Sequence, residues 1–137
     1  MAFFEELKSY KNYLVENSIH ELLDVDLDDY GEVDKKTVRP IYYSVDPNLE
    51  EAYSAELDDL VRLHYLVTSR KVTTILEFGV GKSSIVFDHA LNLNKQNYTS
   101  FVEGNLRRSN PFQCFSVDNN EKWISVYIKT AETSLVN

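Results

Sequence analysis

Seven residues from Val72 to Phe78, VTTILEF, are almost all β-branched or apolar, and the run stops at Gly79-Val80-Gly81. A short apolar run bounded by glycines predicts a buried parallel strand, because parallel sheets are covered on both faces and lose the apolar/polar alternation. Behind the glycines, SSIVFDHALNLN sets Ile85, Val86, His89, Ala90 and Leu93 on one helical face. Strand, tight turn and helix in that order admit few architectures. FQCFSV predicts a second strand ending before Asp118, and NNEKWISVYIKTAE puts Trp123, Ile124, Tyr127 and Ile128 at helical spacing, although WISVYI alone also suits a strand. TSLVN reads as the start of a third strand. The polar stretch from Asn92 to Pro111 shows no period and predicts a long loop containing a hairpin. The resulting β-α-β-α-(β) order is that of a doubly wound α/β sheet.

The residues in front of the first strand read as helical. In AFFEELKSYKNYLVEN, Phe3, Leu7, Tyr10 and Leu14 form one stripe of an amphipathic helix, and SIHE from Ser18 to Glu21 has capping-box spacing for a second. Asp24, Asp26 and Asp28 alternate like the first ligands of a calcium loop. The sixth and twelfth positions of that loop would be Asp29 and Lys35 in place of glycine and glutamate, so the run is read as a solvated acidic loop. A longer helix follows, with Asp46 as cap, Pro47 in the first turn, and Leu49, Tyr53, Leu57, Leu60, Val61, His64 and Val67 along one face. Arg70 and Lys71 close its negative end, and His64 is read as a packed side chain. The expected organisation is a helical segment over 1–71 with an acidic loop, then an α/β core over 72–137.

Composition limits what such a chain does. With 137 residues, 43 % of them hydrophobic, it is long enough for one folded core. Cys114 is the sole cysteine, which excludes an internal disulfide and a cysteine-built zinc site; it reads as a small buried apolar residue. No apolar run approaches the roughly 20 residues of a membrane span, and the first turns carry acids unlike a secretory leader, so a soluble, cytoplasmic protein is expected. Residues 1–69 hold 16 acids against 6 Lys/Arg (−10) and residues 70–137 hold 6 against 8 (+2), summing to the net −8. An acidic half repels phosphate backbones, and the weak excess of positive charge beyond it forms no patch with interleaved aromatics. Nucleic acid is therefore a disfavoured partner.

What the glycine turn can hold follows from its neighbours. Gly81-Lys82-Ser83 matches the end of a phosphate-binding loop, but the first glycine of that pattern would fall on Leu76, still within the strand. The dinucleotide fingerprint fares better at Gly79 and Gly81, yet Ser84 replaces its third glycine and Glu77 would place a carboxylate near a pyrophosphate. A cationic nucleoside without phosphate removes that conflict. Glycines let the backbone approach it closely, Ser83 or Ser84 can cap the helix, and an acid at the end of the next strand can accept two ribose hydroxyl protons. Asp118 stands there.

ILEFGVGKSS followed by FSVDNNEKW resembles the first two motifs of the class I S-adenosylmethionine-dependent methyltransferases, in the variant that continues into Ser-Ser. The resemblance covers about Thr73 to Ile128. It implies a Rossmann-like doubly wound parallel sheet, incomplete in this chain, with S-adenosylmethionine as cofactor. Glu77, Phe78, Gly79, Val80 and Gly81 would line the methionine side with Ser83 beside them, Asp118 would hold the ribose, and Asn119 would lie near the adenine. The implied activity is methyl transfer to a small molecule or sugar. The catalytic base is not assigned, and Arg39, Tyr42 and Tyr43 are candidate substrate contacts. The sequence departs from the family in Lys82, placed to pair with an acid or meet the substrate, and in the 41 positions between the two acids (118 − 77), read as an insertion over Asn92 to Pro111. It also ends near the third of seven expected strands. Two further readings stand beside this one: a non-catalytic interaction module of the same fold, which would form a homo-oligomer or hetero-complex, and a nucleotide-binding enzyme.

Overall fold

The computed structural model describes residues 9–27, 57–107 and 111–135. The expectations placed on Phe3, Leu7, Asp28, Asp29, Lys35, Arg39, Tyr42, Tyr43, Asp46, Pro47, Leu49 and Tyr53 lie outside them. The chain divides into two compact units, Met1–Arg62 and Leu63–Asn137, with the division falling inside a helix.

In the first unit, α1 (Tyr10–Glu16) starts at Ser9, whose hydroxyl accepts from the Asn12 N–H at 3.2 Å, and α2 (Ile19–Leu22) follows within one turn. Ser18 does not cap α2 with its side chain. It takes a left-handed conformation (φ 54°), which lets the chain turn from one helix into the next and carries the hydroxyl away from the first amides of α2. Leu14, Ile19, Leu23, Leu57, Leu60 and Val61 are the buried apolar residues among those described in this unit. Arg62 lies 5.1 Å from the Tyr10 ring centroid and donates through Nε to the Tyr10 hydroxyl at 3.1 Å.

The helix α3 (Leu57–Ser69) leads into the second unit and ends on Lys71 in the left-handed conformation (φ 52°). The Val72 N–H bonds back to Val67 O at 3.0 Å and the Lys71 N–H to Thr68 O at 3.2 Å, the doubled closure that glycine usually provides. The chain then forms β1 (Thr74–Phe78), α4 (Lys82–Asn105), β2 (Gln113–Val117) and α5 (Glu121–Leu135). β1 and β2 pair in parallel, with Ile75 opposite Cys114 and Glu77 opposite Ser116. The described fold is thus mixed α/β, mostly helical, around a two-stranded parallel sheet.

Alternation along the strands separates two faces. Ile75 and Cys114 join Val67, Val72, Phe87, Ala90 and Leu91 in one apolar cluster, so α3 and α4 cover that side. The opposite side is bare: Leu76 is 61 % exposed, Phe78 83 %, Phe115 49 % and Val117 54 %. The apolar run at 72–78 was expected to be covered on both faces, and among the described residues it is covered on one.

Two expectations about secondary structure are corrected. Asn92 to Asn105 continues α4, which reaches 24 residues, and the expected loop and hairpin are absent from that stretch. Leu91, Asn94 and Val102 are the buried positions on this part of the helix, so an asparagine sits within the inward stripe and conceals its period. The Asn94 side-chain amide donates to Val67 O and Val72 O, both at 2.9 Å, which satisfies carbonyls at the α3–β1 junction. The third strand expected at TSLVN is not formed over its described residues either. Its residues Thr133 to Leu135 extend α5.

Candidate functional site

The two sequence motifs meet at the carboxyl ends of the paired strands. Gly79 follows β1 with φ 103°, a conformation that L side chains rarely adopt, and its N–H donates to Val117 O at 2.7 Å, adding one rung beyond the strand. A Cβ placed on Gly79 or Gly81 would meet nothing within 4 Å, so glycine at 79 answers a backbone requirement and not crowding. The next amide, Val80 N–H, donates to Asp118 Oδ2 at 2.9 Å, and Asp118 Oδ1 accepts from the Asn120 N–H at 2.8 Å. Asp118 therefore ties the glycine turn to the end of β2. A carboxylate offers about four acceptor positions, so each Asp118 oxygen keeps one for a further donor.

Glu77 stands on the covered side of β1. Its carboxylate accepts from the hydroxyls of Ser83, of Ser84 (2.5 Å) and of Ser116 (2.8 Å). The Ser84 hydroxyl in turn accepts from the Gly81 N–H at 3.1 Å, and the Ser84 N–H donates to Gly81 O at 3.1 Å. Gly81 is thus the N-cap residue of α4 and Ser84 supplies the returning side chain of a capping box. Ser83 turns to Glu77 and does not cap. Phe78 and Asn119 are exposed beside the turn, while Val80 is half-buried. Lys82 opens α4 without an acid partner among the described residues, and partial burial lowers its pKa.

Other polar groups pair farther along the covered face. The Tyr127 hydroxyl donates to Asp88 Oδ2 at 2.5 Å and links α5 to α4; burial first, then this bond, raises the phenol pKa. Cys114 is half-buried with its Sγ 3.7 Å from Ser116 Oγ, and burial raises its pKa, so the thiol is held in its un-ionised form. His64, fully buried on α3, meets His89 on α4 with Nε2 and Nδ1 2.9 Å apart. Burial, and to a smaller degree His89, lowers the His64 pKa to about 3, and burial lowers that of His89. Sequence reasoning placed His64 and His89 on apolar faces but missed that they face one another, because a pair 25 residues apart on two helices leaves no local pattern.

The structure therefore brings Glu77, Gly79, Val80, Gly81, Ser83 and Asp118 into one constellation, with Phe78 and Asn119 at its exposed edge. Arg39, Tyr42 and Tyr43 fall outside the described residues. No group of three or more metal-ligating side chains occurs among the described residues, and no described helix is long and apolar enough to cross a membrane. No protein-family model, curated protein or solved structure matches the chain.

Proposed function

We propose that the β1–α4 turn and Asp118 hold S-adenosylmethionine, and that the chain takes part in methyl transfer to a small molecule or sugar. The observation that carries this reading is the bond from the Val80 N–H to Asp118 Oδ2 at 2.9 Å, which joins residues 38 positions apart at the carboxyl ends of adjacent parallel strands. Ligands of open α/β sheets bind in that region. The glycine backbone at 79 and 81 permits close approach, the free acceptor positions of Asp118 suit a pair of ribose hydroxyls, and two carboxylates without phosphate-binding features favour a cationic nucleoside. Phe78, Val80, Gly81 and Ser83 would border the methionine end and Asn119 the adenine. The accompanying fold reading is a Rossmann-like doubly wound sheet, supported by the parallel pairing and the β-α-β-α order.

S-adenosylmethionine held by the glycine turn and Asp118 would supply an activated methyl carbon with a sulfur leaving group. The chain's part is to position that carbon and the acceptor in line. His64 and His89 are engaged with each other, so neither is assigned as a base. Calorimetry with S-adenosylmethionine and S-adenosylhomocysteine tests the reading. Micromolar binding is expected, abolished in Asp118→Ala and in Gly79→Val, and no binding by the intact chain would sink it.

A further inference from the structure

We infer that Glu77 is the positioning residue of this site: it fixes the glycine turn through three serine hydroxyls and does not touch the ligand. The inference rests on the reading of the turn as a nucleoside site, and it reassigns the acid that charge complementarity alone would place against the ligand's cation. Along β1, Glu77 shares its face with Ile75 and lies opposite Ser116, beneath the first turn of α4. Its carboxylate can accept only, and it already accepts from Ser83, Ser84 and Ser116. These hydroxyls come from two places, the start of α4 and the neighbouring strand. One carboxylate thereby holds helix, strand and turn in register.

The link to the backbone is direct. The Ser84 hydroxyl donates to Glu77 and accepts from the Gly81 N–H, so the chain Gly81 N–H to Ser84 Oγ to Glu77 sets the direction of one amide in the turn, while Asp118 sets the next one upstream at Val80.

The test uses the intact chain, the variants Glu77→Gln, Glu77→Ala and Ser84→Ala, and two probes: S-adenosylhomocysteine, and 5′-methylthioadenosine, which lacks the amino-acid end. Amide exchange at residues 79–84 is followed by NMR without ligand, and affinities are measured by calorimetry. Glu77→Ala is expected to speed exchange in the turn and to weaken both nucleosides by a similar factor, roughly tenfold for each net hydrogen bond lost. Glu77→Gln, whose amide still meets the serines, restores both. Ser84→Ala speeds exchange at Gly81 with Glu77 intact, which keeps the inference testable should Glu77→Ala not fold. Loss of S-adenosylhomocysteine affinity in Glu77→Gln with 5′-methylthioadenosine unchanged would put Glu77 on the ammonium and overturn the inference. Unchanged exchange in folded Glu77→Ala, or in Ser84→Ala, would overturn it as well. If the unmodified chain binds neither nucleoside, the cofactor reading falls, and the exchange data alone decide the role of Glu77.

Discussion

Asp118 reaches back from the end of β2 to the amide of Val80, and with Asn120 N–H on its other oxygen it is bonded on both sides. Removing it frees two amides at once. Asp118→Ala is expected to lower stability by roughly 1–3 kcal/mol, the range for charge-assisted bonds of partly buried groups. Asp118→Asn, which keeps one acceptor oxygen, should lose about half as much. Urea titration of the three proteins measures both; equal loss in the two variants would show that the bond retained by the asparagine oxygen contributes nothing.

Gly79 and Gly81 separate two demands that a glycine motif usually mixes. A side chain at 79 must adopt φ 103°, whereas Gly81 is extended at φ −176° and any residue fits there. Gly79→Ala is therefore expected to cost about 1–2 kcal/mol and Gly81→Ala less than about 1 kcal/mol. Thermal melts read the difference, and the reverse order would be inconsistent with the turn described.

Asn94 is 1 % exposed and holds two carbonyls. Asn94→Leu keeps the volume but removes the side-chain donor from both carbonyls; Val67 O keeps the Val72 N–H and Val72 O loses the amide, so a loss of about 1–3 kcal/mol is expected despite the gain in hydrophobicity. Chemical denaturation gives the value, and a more stable variant would contradict the role assigned to the amide.

The His64–His89 pair sets a pH dependence with a definite sign. The folded-state pKa values lie below the unfolded 6.5, to about 3 for His64, so the unfolded chain binds more protons in that interval. The stabilisation is complete above pH 6.5 and declines as pH falls toward 3, with a slope of up to about 1.4 kcal/mol per pH unit for His64. Melting temperatures between pH 7 and pH 4 should fall more steeply in the parent chain than in His64→Leu. Parallel curves would rule the pair out as the source.

What the sequence disclosed follows from where polar residues stand. VTTILEF and its glycines were legible because β-branched residues and a backbone turn leave local marks. The end of α4 was not, since the inward position at 94 is filled by asparagine, whose partners at 67 and 72 are distant in sequence. Glu77 was legible as an acid at a strand end. Its three serines were hidden, because Ser116 comes beside it only through parallel pairing with a strand 39 residues away. The bare face of Leu76, Phe78, Phe115 and Val117 was equally hidden: an apolar run does not say which of its sides is covered.

The length of α4 has a consequence for how this crossover can vary. Its 24 residues make a rod of about 36 Å, over strands of five residues that run only about 16 Å. The rod is longer than the strands by about 20 Å, an overhang made by its far turns. Each residue added to or removed from the overhang turns that far end by about 100° and moves it 1.5 Å. Changes of about seven residues, close to two whole turns, preserve the heading of the return path; changes of one or two point it away from Gln113. The spacing between Glu77 and Asp118 is therefore quantised by the pitch of a helix.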